Sequence, residues 1–182
     1  MKNASLNAFI ETARTAWGPL TSDLVAECST SLARMLQASP SEDWLTGLIR
    51  DQPANQELYR DRVHGFVLLA HTEQAGLYRL PHDHGRSWVI YAVQHGEIEM
   101  GSYGRIEGPD GDVRLVKRGA TILRAGDVQV YLPGDIHDTR CLSHSALLYR
   151  FTERDLKQED RQEHRVTRYE ERDGHWTPAA SQ

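Results

Sequence analysis

From about Gly65 the chain is written in short apolar or alternating runs, each closed off by Gly, Pro or Asp. Many such runs in one unit must close into a barrel or pack as a sandwich, because exposed strand edges have to be removed or protected. Phe66-Val67-Leu68-Leu69-Ala70, Trp88-Val89-Ile90-Tyr91-Ala92-Val93, Tyr131-Leu132 and Ala146-Leu147-Leu148-Tyr149 read as buried strands. Glu97-Ile98-Glu99-Met100 alternates, so that strand should keep one wet face. His95-Gly96, Pro109-Asp110-Gly111, Ala125-Gly126-Asp127 and Pro133-Gly134-Asp135 mark the turns.

The first fifty residues follow a different period. Leu6, Phe9, Ile10 and Ala13 recur at helical spacing, and Leu24, Cys28, Leu32, Met35 and Leu36 form a second stripe. Pro40-Ser41-Glu42-Asp43 opens a third, short helix, with Ser41 as its cap and Trp44, Leu45, Leu48 and Ile49 as its buried face. Apolar stripes of this kind serve as core far more often than as partner-binding surfaces, so they predict a helical cap on the β-structure. The 182 residues then divide as one domain: 1–50 helical, 57–156 β-barrel, and 157–182 a charged, solvated extension. Within that extension, Val166 and Tyr169 are the candidates for a last edge strand.

Charge narrows the function. A formal net charge of -5 argues against nucleic acid as a partner, since that footprint is basic. No run reaches the roughly 18 apolar residues of a membrane span, and the N-terminus is amphipathic, so a cytoplasmic protein with no membrane partner is expected. Two cysteines, Cys28 and Cys141, are too few for a disulfide framework. Nine histidines against them point to imidazole chemistry.

The most informative stretch is Gly76-Leu77-Tyr78-Arg79-Leu80-Pro81-His82-Asp83-His84. In a strand, residues two apart share a face, so His82 and His84 would set two imidazoles side by side, as a chelated metal requires. Further ligands must come from elsewhere, and Gly126-Asp127-Val128-Gln129-Val130-Tyr131-Leu132-Pro133-Gly134-Asp135-Ile136-His137 offers a third histidine after a Pro-Gly turn.

A glycine before His-x-His, followed about fifty residues later by a Pro-Gly turn and a histidine, resembles the two motifs of the cupin superfamily. The resemblance implies a mainly β fold, a double-stranded β-helix barrel with an N-terminal helical segment. It also implies one metal inside, held by His82, His84 and His137. Most cupins place a carboxylate four or five positions after the second histidine, where this chain has Trp88 and Val89. That departure is similar to the thiol dioxygenases, the branch that includes cysteine dioxygenase and 3-mercaptopropionate dioxygenase. Glu57-Leu58-Tyr59-Arg60 before the first strand, Pro-His-Asp-His, the nearby tryptophan and Gly-Asp-Ile-His all look like that branch. The implied cofactor is Fe(II), with zinc, nickel or manganese as alternatives. The implied activity is dioxygenation of a small organic acid, with a thiol among its candidate groups.

The chain departs from that branch in three ways. Where the family has Ser-x-His-x-Tyr on a late strand, this chain has Leu147-Leu148-Tyr149-Arg150-Phe151. No cysteine comes soon after His84 to form a Cys-Tyr crosslink, and the loop Gly85-Arg86-Ser87-Trp88 is one residue longer. Three residues remain as candidates beside the ligands. Arg60 could hold a substrate carboxylate through a two-pronged hydrogen bond. Tyr149 could present its hydroxyl to the substrate, and Trp88 could form an apolar wall beside the metal. Expected partners are a small-molecule substrate and dioxygen, and the chain could pair as a homodimer. The competing readings are a cupin isomerase, lyase or hydrolase using its metal as a Lewis acid, and a non-catalytic cupin that binds a small molecule.

Overall fold

The computed structural model describes residues 3–109 and 111–179; Asp110, in one of the expected turns, lies outside the described residues. The helical stripes form α1 (Ala4–Ala16) and α2 (Ser22–Met35), whose apolar residues fall on one buried side. Thr21 caps α2, its hydroxyl accepting the Leu24 amide at 3.2 Å. The third helix, α3 (Asp43–Asp51), departs from expectation at both ends. Glu42, not Ser41, occupies its cap position, and the Glu42 carboxylate is committed elsewhere. It accepts the Ser5 amide at 3.0 Å and the Trp44 indole at 2.9 Å, which ties α3 to α1. Leu45 and Leu48 form the buried face, whereas Ile49 is exposed.

Nine strands follow: β1 (Gln56–Arg60), β2 (Val67–Gln74), β3 (Tyr78–His82), β4 (Val89–His95), β5 (Glu97–Glu107), β6 (Val113–Arg124), β7 (Val128–Tyr131), β8 (Ile136–Cys141) and β9 (Ser145–Thr152). Glu57-Leu58-Tyr59-Arg60 lies within β1 rather than ahead of the first strand. One sheet runs β1-β2-β9-β4-β7 and the other β3-β8-β5-β6, with every neighbour antiparallel. Facing one another, they make the expected double-stranded β-helix. At the β4–β5 corner Gly96 has φ +85°, and a Cβ there would meet the Ser145 carbonyl at 2.4 Å, so only glycine fits.

The first sheet is apolar on both faces, and β4 sorts its residues between two cores. Val89, Tyr91 and Val93 point into the barrel against Ile98, Met100, Leu123 and Leu148. Trp88, Ile90 and Ala92 point the other way, beneath the helices, among Phe9, Leu32 and Phe151. Phe151 is the hub of that outer core, with ring centroids of Phe9, Phe66 and Trp88 at 5.2, 5.4 and 5.5 Å. Truncating such a ring to Ala costs about 3–5 kcal/mol.

The C-terminal residues correct the expectation of a solvated extension. They form α4 (Leu156–Arg161) and a hairpin of β10 (Tyr169–Arg172) and β11 (His175–Pro178). Tyr169 is buried among Tyr103, Leu115 and Ile136, and Glu159 is buried as well. The charges that made the segment look wet are paired, as in Arg168–Asp160 at 2.7 Å and Arg154–Glu159 at 3.2 Å. Among the described residues no helix is long and apolar enough to cross a membrane.

Candidate metal centre

His82 ends β3 and is paired in register with His137 of β8, so the sheet itself sets these two imidazoles side by side. His84 is not part of that strand. The chain has already turned, and Gly85 at φ +62° carries it back toward β4. Its place therefore comes from a loop rather than from strand alternation. Ring centroids are 4.7 Å apart for His82 and His137, 4.8 Å for His84 and His137, and 5.3 Å for His82 and His84. One nitrogen from each lies within 4.8 Å of the others.

The hydrogen-bond inventory of the three rings is incomplete in a telling way. His82 Nδ1 is 2.8 Å from the Leu80 carbonyl, which makes it the protonated nitrogen and leaves Nε2 with its lone pair. Both nitrogens of His137, and Nδ1 of His84, are buried without a partner. Orphaned buried nitrogens are costly, and a metal ion satisfies them. Burial is the main reason all three rings resist protonation; for His84 and His137 the neighbouring imidazoles add to it, and Arg150 contributes for all three. They stand as neutral imidazoles able to hold a metal ion, and the cluster holds no carboxylate. The set fits a divalent first-row metal of the kind imidazole suits.

The walls come from the same sheet faces. Tyr131 stacks on His137 with centroids 3.9 Å apart. The Tyr91 hydroxyl is 3.4 Å from His84 Nε2. Beside His137, the Asp138 carboxylate is fully engaged. It accepts from the Tyr78 hydroxyl at 2.8 Å, the Tyr103 hydroxyl at 2.5 Å and the Gly101 amide at 2.8 Å, and so pins β8 to its neighbours.

The other three candidates, Trp88, Tyr149 and Arg60, take the following places. Trp88 is buried among Trp17 and Phe151 under the helices, on the face of β4 turned away from the histidines. Tyr149 is on that outer side too, donating to Gln94 at 3.2 Å with its ring 5.6 Å from Trp44. Alternation is the reason in both cases, because the inward positions are the odd ones of β4 and the even ones of β9. Arg60 stands on β1 with its guanidinium held by Glu57 at 2.7 Å and Asp155 at 2.8 Å.

One residue that the sequence did not single out as a candidate takes its place here. Arg150 lies across the ladder from Tyr91, on the inner face. Its Nε is buried without a partner, and it lines a cavity of about 190 Å³ with Val67, Leu69 and Thr152. Arg60 sits at the same cavity. The available signal was a single charge inside the apolar run Ala146-Leu147-Leu148-Tyr149-Arg150-Phe151, which a buried strand tolerates only with a purpose. A larger groove of about 700 Å³ runs between α2 and β7, lined by Val25, Val130 and Leu132. Val130 packs on the outer core, so that groove belongs to the far side of the sheet.

No protein-family model matches the chain, and no curated protein matches it in sequence. Among solved structures it is similar to the Schizosaccharomyces pombe Cnp3 cupin domain, at 12% identity over 60% of this chain and 69% of that one, with TM-score 0.44. It is also similar to KdgF from Halomonas sp., at 19% identity over 54% of this chain and 74% of that one, with TM-score 0.42. A third is an oxalate oxidase in complex with the substrate analogue glycolate, at 19% identity and TM-score 0.41. That match covers 56% of this chain and 51% of the oxidase, so the chain spans about half its length. These are likenesses of fold.

Proposed function

We propose that this chain is a mononuclear iron(II) dioxygenase of thiol dioxygenase type, acting on a small organic acid. The observation that carries the reading is the convergence of three neutral imidazoles, two buried and His82 half-buried, with free nitrogens and no carboxylate among them. Such a set leaves the metal charge uncompensated, which favours an anionic donor such as a thiolate from the substrate. Bound iron would supply the redox chemistry with dioxygen, with open positions beside the three nitrogens.

The chain's own residues supply the rest. His82, His84 and His137 would hold the metal, with the Leu80 carbonyl fixing the tautomer of His82. Arg150 is the carboxylate anchor in place of Arg60, because it lies on the barrel face of β9 with its charge felt by all three imidazoles while the guanidinium of Arg60 is already paired. Tyr91 places a hydroxyl beside the metal position, the role first expected of Tyr149. Val89, Leu148 and Tyr131 exclude water from the chamber.

Metal analysis of protein purified without chelator, with oxygen uptake measured on a panel of small thiol and hydroxy acids, tests the reading. Iron near one per chain and uptake with an acid are expected. Equal turnover by the zinc form without oxygen would replace it with the Lewis-acid reading.

A further inference from the structure

We propose that the C-terminal segment is a clasp on the metal centre, with Asp83 and Glu159 as the positioning residues that hold the loop carrying His84. The inference rests on the metal-centre reading above.

His84 lies past the end of β3, so no ladder holds it in place. Its loop is closed locally by two bonds, from the Ser87 amide to the His84 carbonyl at 3.1 Å and from the Gly85 amide to Asp83 Oδ1 at 3.0 Å. The other attachments come from about eighty residues further along the chain. Asp83 Oδ1 accepts two amides, from Gly85 at 3.0 Å within the loop and from Thr167 at 2.8 Å in the C-terminal segment. The Asp83 amide in turn donates to the Thr167 carbonyl at 3.0 Å. His82 forms an isolated bridge with Arg168.

Glu159 grips the same loop from α4. It accepts the Arg86 amide at 3.4 Å, and a Cβ at Gly85 would meet its Oε2 at 2.8 Å, so the loop lies flat against the helix. Arg154 neutralises it at 3.2 Å, and Arg86 reaches Glu163 at 3.1 Å. These bonds do not spread along the barrel. They converge on residues 82–86, which hold two of the three ligands. A segment serving only to cover apolar surface has no reason to bury the Glu159 carboxylate against this loop and to present the Thr167 amide and carbonyl to half-buried Asp83.

Cobalt(II), whose visible absorption reports coordination, is the probe. Asp83→Ala is expected to weaken cobalt binding about 10- to 100-fold and to alter the band. Asp83→Asn is expected to bind nearly as wild type, because its Oδ1 can accept both amides. Thr167→Pro, which deletes the donor from the far side, tests the clasp if Asp83→Ala does not fold. It is expected to weaken binding in the same direction. Wild-type affinity in whichever of Asp83→Ala and Thr167→Pro is folded overturns the proposal, as does Asp83→Asn binding as weakly as Asp83→Ala. Absence of cobalt binding by the wild-type chain overturns the metal-centre reading and the clasp with it.

Discussion

Tyr91 and Arg150 face each other across the β4–β9 ladder, so phenol and guanidinium project onto the barrel face that holds the histidines. Burial pushes the Tyr91 phenol up, against the opposing pull of the Arg150 charge, so Tyr91 remains a hydrogen-bond donor. Arg150→Met keeps length and removes charge. A hydrogen bond to a charged group contributes about 1.5–3 kcal/mol, so kcat/KM on the acid substrate should fall about 10- to 150-fold, chiefly through KM. Steady-state kinetics beside metal analysis check this, and an unchanged KM would put the carboxylate elsewhere.

Metal binding should register as stability. A ligand at about 100 times its Kd stabilises by about 2.7 kcal/mol, or roughly 5–10 °C in Tm at this chain length. Calorimetry of wild type with and without iron or zinc should show that gap. His137→Ala, which removes a wholly buried ligand, should close it while leaving the apolar barrel core intact.

Substitutions on the outer face of the first sheet should leave metal affinity alone. Trp88→Glu places a charge against Trp17 and Phe151, so it should lower Tm sharply without tightening metal binding. Tyr149→Phe should cost only the bond to Gln94, about 0.5–1.5 kcal/mol, with kinetics unchanged. Metal titration of Trp88→Glu is the stricter check, because a gain in affinity would mean that β4 faces the other way.

Acid should loosen the seam between α1 and β1. Asp61 accepts Arg14 Nε at 2.7 Å, the Tyr59 hydroxyl at 3.0 Å, and the Val63 and His64 amides at 2.9 and 2.7 Å. Burial works against its ionisation, but these donors outweigh it and hold the carboxyl well below the usual range. A depressed carboxylate contributes stability above its unfolded value of about 3.9 and loses it as pH falls below that. Asp61→Asn should therefore be less stable than wild type near neutrality, with the gap narrowing on acidification. Urea midpoints across about pH 6 to 3 measure this.

The strand runs, the first two helices and the histidines that cluster were legible because each leaves a local mark: a period, a turn residue or a motif. Facing was not legible. Trp88 through Val93 is apolar throughout, since one side lies under helices and the other inside a barrel, and such a strand carries no alternation to read. Tyr149 and Arg150 are neighbours in sequence, yet they belong to different compartments. The C-terminal segment was misread because its charges are matched, Glu163 by distant Arg86 and Glu159 by nearby Arg154, and composition counts charges without their pairings.

The division of β4 between two cores also bears on inheritance. Exchanging one apolar side chain for another within this strand disturbs the packing on one side of the sheet only. A codon gained or lost between His84 and Val89 would shift the register by one and swap the two sides, presenting Ile90 to the histidines and turning Tyr91 toward the helices. Descendants of this chain are thus freer to change the letters of that short loop than their number.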